Sequence, residues 1–304
     1  MRLFRNVEDD FECLLAINDR SRLAPDILNL KDLDSDDGES DGNDVNRRED
    51  GRDENITSQE DIFKPIKSIP SPLHHGHANS PLRRLLHRPS HSRNNCRQTV
   101  WPAMLSNPTA PPLSNTGFQL APSASLSVTV LVKWASRVWV RTLCFTDASG
   151  KFSCTTGQVS YLGSGGVPPI TLIEFTLQGY QGKDFYDISC IDGFNILLSV
   201  APQGGAMGYC NAVACSTDIN ALCPSELQEK AEDGSVVGCK SACLAFNTDQ
   251  YCCRGAYGGP DTCKSTHYSQ IFKEACPHAY SYAYNDASST FTCAEAEYLI
   301  TFCP

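Results

Sequence analysis

Residues 251–263 read YCCRGAYGGPDTC, and the reading of this stretch decides the fold. It sets an adjacent pair, Cys252 and Cys253, and a third cysteine, Cys263, among residues typical of turns. The density continues outward: the 304-residue chain holds 16 cysteines, and all but Cys13 lie from Cys96 onward. Metal sites need C-x2-C knuckles or Cys and His in repeating sets, and these spacings are irregular with no such set. The cysteines therefore point to disulfides, to an oxidising compartment, and to loop-rich β structure that its core alone would hold less firmly.

Short stretches of alternating apolar residues recur around that segment. They are SLSVTVLV from Ser125, RVWVRTLCF from Arg137, PITLIEFTL from Pro169, DFYDISCI from Asp184, FNILLSV from Phe194, STFTC from Ser289 and YLITFC from Tyr298. DASGK, GSGGVPP and APQGG supply turns between them, so the pattern predicts antiparallel strands of a sandwich or barrel. Between Cys210 and Cys276 the texture changes. NALCPSELQEK from Asn220 and YSQIFKEACP from Tyr268 have helix-like spacing among close cysteines, which predicts a helix-containing disulfide lobe beside the sheet. There is no internal repeat.

The first 93 residues differ in kind. From Glu8 to Asp61, 19 carboxylates face 6 Lys and Arg, a balance that predicts disorder. Lys64, Lys67, Arg83, Arg84, Arg88, Arg93 and Arg97 follow, with five histidines and no acidic residue before Asp147, as in a solvated linker. The tract lacks interleaved aromatics and any nucleic-acid motif, so no nucleic-acid partner is expected. No apolar run is long enough to span a membrane. The apolar run Leu14–Ile17 is too short for a secretory signal and follows acidic residues. That conflicts with the disulfide argument, and the expectation is that the natural mature domain starts later. The sequon Asn55-Ile-Thr57 lies in this tail.

The chain resembles a plant thaumatin-like protein, the pathogenesis-related family that includes osmotin. The resemblance rests on NNCRQTVWPA, RVWVRTLC, GKFSCTTG, PPITLIEFTL, KDFYDISCIDGFN, CPSEL, YCCRGAYGGPDTC, YSQIFKEACP, AYSYAYNDASSTFTC and YLITFCP, which cover residues 94–304 in order. It implies a mainly β fold: a flattened β-sandwich of eleven strands, a disulfide-rich helical lobe and a small loop domain, as domain 94–304 behind the disordered tail 1–93. It also implies seven bridges: Cys96 with Cys303, Cys144 with Cys154, Cys210 with Cys293, Cys215 with Cys276, Cys223 with Cys239, Cys243 with Cys252, and Cys253 with Cys263. An eighth family bridge is missing. In CTTGQVSYLGSGGVPP one of its cysteines is deleted and Tyr161 stands at the other, which leaves Cys13 and Cys190 without family partners. RPSHSRNNC is polar and basic where relatives carry an apolar first strand, so weakening is expected at that edge.

The family's acidic cleft maps onto Arg137, Glu174, Asp187, Asp192 and Asp286. At the last position relatives show two consecutive Asp, and this chain has Asn285 followed by Asp286. Glycoside hydrolysis needs one protonated carboxyl and one carboxylate, and clustered acids beside an Arg push their pKa values apart. On that reading Glu174 is the acid and Asp192 the base, tuned by Asp187 and Arg137. The same residues also suit solvated ion pairs or acceptors for sugar hydroxyls. Phe185, Tyr186 and Phe194 could stack on sugars or pack in the core.

The resemblance implies an extracellular (apoplastic) or vacuolar, antifungal defence protein. It would act as a monomer that binds β-1,3-glucan or another fungal wall polysaccharide without cofactor or metal, and is at most a weak endo-β-1,3-glucanase. The alternative is a non-enzymatic interaction module, an inhibitor of a microbial enzyme or a receptor-like ectodomain. Sweet-taste binding needs a basic surface, and residues 94–304 carry 11 Lys and Arg against 16 Asp and Glu.

Overall fold

The computed structural model describes residues 87–304 apart from 111, 114, 160–164 and 206–209. The tail up to residue 86, with Cys13 and the Asn55 sequon, and Tyr161 of the missing bridge lie outside the described residues. In chain order the strands are β1 (His87–Asn94), β2 (Trp101–Ser106), β3 (Ser125–Leu131), β4 (Ala135–Thr146), β5 (Phe152–Thr156), β6 (Leu172–Thr176), β7 (Asp184–Ser189), β8 (Leu198–Gln203), β9 (Val213–Cys215), β10 (Gln228–Lys230), β11 (Val236–Cys239), β12 (Phe291–Cys293) and β13 (Glu297–Phe302). One sheet runs β3-β1-β13-β8-β9 and the other β12-β7-β6-β4-β2, with β5 added to the end of β4.

The two sheets pack face to face through the residues that period-2 alternation turns inward. Val138 and Val140 of β4, Ile173 and Phe175 of β6, and Tyr186 and Ile188 of β7 meet Val200, Tyr298, Ile300 and Phe302 of the other sheet in one core. Ring contacts cross between the sheets, with Phe175 and Tyr186 at 5.1 and 5.3 Å from Tyr298. The same alternation sends Arg137, Glu174 and Asp187 to the outer face of the second sheet, where the site lies.

The polar segment that stands where relatives carry an apolar first strand forms a strand all the same. His87–Asn94 is an interior strand, parallel to β13 and antiparallel to β3, and it begins ahead of the boundary expected at 94. Ladder hydrogen bonds use main chain, so a polar sequence can fill the slot if its inward side chains are small or paired. Ser90 and Ser92 are small and buried, and Asn94 donates to the Gln98 and Leu120 carbonyls at 2.9 Å each. Arg88 reaches the buried Asp184 at 2.6 Å, where Tyr298 Oη and the Gln178 amide also donate.

The lobe holds the helices α1 (Ala242–Phe246), α2 (Asp249–Cys252) and α3 (His267–Ala275), and a short α4 (Asp286–Ser289) lies beyond it. A Thr266–Ser269 capping box starts α3, and Phe272 is buried on its inner side. The helix expected over NALCPSELQEK is not formed. That segment makes two 3-10 turns, Ile219–Leu222 and Ser225–Leu227, before β10. Pro224 lacks the N–H a continuous helix needs, and the Cys223–Cys239 bridge holds the segment against β11. Among the described residues there are seven disulfides, in the same pairs as the resemblance implies. Cys190 is free and buried, and burial pushes its thiol up to about 12.

Candidate functional site

Three of the expected cleft residues form one row across neighbouring strands. In register, Arg137 of β4 stands opposite Glu174 of β6, and Glu174 stands opposite Asp187 of β7. Directly opposed side chains on one face are the closest cross-strand neighbours, so the row follows from register alone. Arg137 Nε lies 3.3 Å from Glu174 Oε1, and the two side chains are only 12% and 11% exposed.

Asp192 reaches the same place from a turn. The Gly193 amide bonds the Cys190 carbonyl at 3.0 Å and the Ile170 amide bonds the Asp192 carbonyl at 2.9 Å, which fixes the loop after β7. Gly193 sits at φ +86°, and a Cβ there would lie 2.5 Å from the Cys239 carbonyl oxygen, so this turn requires glycine. Asp286 comes from the first turn of α4 and accepts a 2.7 Å hydrogen bond from Tyr280 Oη. Asn285 precedes it as the cap residue and bonds Ser281 and Ser288 instead, so the carboxylate of the Asn-Asp pair that faces the acidic row is the second one.

The electrostatics follow from this crowding. Burial raises the Glu174 carboxyl above the usual carboxylate range, Arg137 pulls it back down, and Asp192 pushes it up. Asp187 is raised well above that range by burial first, then by Glu174 and Asp286. Its Oδ1 is buried without a hydrogen-bond partner. The Tyr280 hydroxyl is raised by burial and by Asp187. The structure thus brings all five expected residues into one electrostatic group, linked in order Asp192, Glu174 with Arg137, Asp187, Asp286.

A cavity of about 600 Å³ opens beside this group, between the outer face of β4 and the helical lobe. Arg137 and Asp192 line it directly, whereas Glu174, Asp187 and Asp286 lie outside its wall. Its aromatic residues are Trp139, Tyr251, Phe272 and Tyr282. Of the two readings open for Phe185, Tyr186 and Phe194, core packing holds for Tyr186 and Phe194, which are fully buried; Phe185 packs near the turn at Gly179, and none of the three lines the cavity. Trp139 was within reach of sequence reasoning, since it lies two residues from Arg137 and shares its face. Tyr251 and Tyr282 carried no such signal, because a one-turn helix and a disulfide-bonded loop are too short to show a period. Among the described residues no cluster of three or more His, Cys, Asp or Glu could hold a metal ion, and no helix is long and apolar enough to cross a membrane.

A sandwich of two sheets whose outer face meets a cystine-bonded lobe across an acidic row defines a thaumatin-like protein. The chain belongs to the thaumatin family, whose model matches residues 94–304. It is 54% identical over 217 residues to thaumatin-like protein 1 of Pyrus pyrifolia, covering 69% of this chain and 88% of that one. Pathogenesis-related protein 5 of Arabidopsis thaliana is 54% identical over 214 residues, with 70% and 88% covered. A Prunus avium protein named glucan endo-1,3-beta-glucosidase is 53% identical over 218 residues, with 70% and 89% covered.

Proposed function

We propose that this protein binds linear β-1,3-glucan in the cavity beside the acidic row, as an extracellular, monomeric plant defence protein directed at fungal walls. The observation that carries the reading is the juxtaposition of Arg137 and Asp192 in the wall of an otherwise largely apolar cavity with the buried carboxyls behind them. A neutral polyol fits such a wall, because apolar residues meet its C–H faces while a few fixed polar groups orient its hydroxyls. The similarity to a Prunus avium protein named for β-1,3-glucan cleavage supports the same ligand class.

Hydrolysis is the smaller part of the proposal. Glu174, its carboxyl raised by burial, would be the acid and Asp192 would activate water, although Glu174 stands behind the cavity wall rather than in it. One Glu174 oxygen already faces a guanidinium at 3.3 Å, which favours the ionised form and leaves less of the protonated form that a general acid needs. Binding is therefore expected to exceed cleavage.

The test uses the oxidised protein with soluble linear β-1,3-glucan, measuring binding by calorimetry and cleavage by reducing ends. Glu174→Gln and Asp192→Asn should each abolish any cleavage, while binding falls by no more than about tenfold, or 1.4 kcal/mol, since an amide still accepts from hydroxyls. Failure of the wild type to bind the glucan would overturn the carbohydrate reading in favour of a non-enzymatic interaction module.

A further inference from the structure

Three aromatic rings pack together on the lobe, one of them, Tyr251, in the wall of the same cavity and the other two, Phe246 and Tyr268, beyond its lining. The ring centroids of Phe246, Tyr251 and Tyr268 lie 5.2–5.8 Å apart, with Phe246 in contact with both tyrosines. Tyr251 lines the cavity, as do the neighbouring Leu244, Asn247 and Gln250. Phe246 is 38% exposed, so part of its ring is open to a ligand.

The rings are also held still before any ligand arrives. Phe246 ends α1, Tyr251 lies in α2, and the Cys243–Cys252 bridge ties these helices together while Cys253–Cys263 ties down the next loop. Tyr268 Oη donates to Glu226 Oε1 at 3.0 Å, which fixes the ring that backs Phe246. A preordered apolar face costs little conformational entropy on binding. Beside it in the cavity wall lie two exposed amides, Gln250 and Asn247, whose donor groups suit hydroxyls, and Arg254, whose guanidinium donates to Asn247 Oδ1 at 2.6 Å. A neutral pyranose presents that combination: a C–H face for the ring and hydroxyls for the amides.

We propose that Phe246, backed by Tyr251 and Tyr268, is a stacking subsite for a distal sugar unit of a glucan chain whose other units lie against Arg137 and Asp192. The inference rests on the glucan reading above and adds to it a second contact point on the lobe, so the lobe would select for chain length. It makes Phe246 a specificity-determining residue with no part in bond cleavage.

Affinities of wild type, Phe246→Ala and Phe246→Trp for β-1,3-linked oligomers of two and of six glucose units provide the test, with thermal melts to establish that each variant is folded. Wild type should bind the longer oligomer more tightly. Phe246→Ala should weaken the longer oligomer by about tenfold, as expected for losing one buried aromatic contact, and leave the shorter unchanged. Phe246→Trp should keep the preference for length. An unchanged affinity of Phe246→Ala for the longer oligomer, or equal losses on both, would overturn the subsite while leaving glucan binding intact. Wild type that binds neither oligomer would overturn the glucan reading and the subsite together.

Discussion

Burial and two neighbouring carboxylates raise Asp187 well above the usual carboxylate range. Its carboxyl is buried, one oxygen lacks a partner, and Glu174 and Asp286 face it. A carboxyl whose pKa is raised by folding favours the native state while protonated, and that contribution is lost as pH rises from about 4 toward the folded value. Stability should therefore fall between acid and neutral pH in proportion to this shift. Asp187→Asn removes the titration, so it should melt higher than wild type at pH 7, by about 2–4 °C for each kcal/mol relieved, and close to wild type at pH 4. Thermal melts at both values check this. A variant destabilised at both would mean that Asp187 holds the row together rather than straining it. Neither effect could be read from DFYDISCID, where Asp184 and Asp187 look alike. Three positions of a strand separate them, which turns Asp184 inward to Arg88 and Tyr298, and Asp187 outward to the acidic row.

Strand β1 shows how an element can defeat a reading of its composition. RPSHSRNNC carries none of the alternation by which the later strands announce themselves, yet the chain forms an interior strand there. The pairing is long-range, to β13 at the far end of the chain, so no local pattern encodes it. Two outcomes follow for this element. Limited proteolysis should leave a resistant fragment that starts at or before His87, seen by mass spectrometry, and a fragment beginning at Cys96 would show that β1 is dispensable. Arg88→Ala should cost about 3 kcal/mol in chemical denaturation of the oxidised protein, because it leaves the buried Asp184 charge without its cation. The tyrosine and amide donors that remain on Asp184 keep the loss from being larger. The opposite error occurred at NALCPSELQEK, where helix-like spacing was overruled by Pro224 and by a bridge to a residue outside the window.

At the scale of the whole molecule, the Cys96–Cys303 bridge closes a loop with a sequence separation of 207 and joins the two ends of the domain beside the β1–β13 pair. In the chain-entropy account a loop of that length contributes about 5 kcal/mol, more than a short bridge such as Cys144–Cys154. The double variant Cys96→Ser, Cys303→Ser should lower the free energy of unfolding toward that amount, measured by guanidinium denaturation. The double variant Cys144→Ser, Cys154→Ser should lose less. Equal losses would point to native-state packing rather than loop closure as the source of the stabilisation.

By itself the sequence determined the β class, the position of most central strands, the α3 helix and the residues of the acidic row. Alternation, turn residues and cysteine density are local signals, and the motifs from Asn94 to Pro304 carried the resemblance. Only the tertiary structure decided which aromatics meet the cavity, which carboxyls lie in its wall and which behind it, and that a polar segment before Asn94 completes the first sheet. Those outcomes depend on register between distant strands and on how a lobe without periodicity docks on a sheet, and neither quantity is written in any window of consecutive residues.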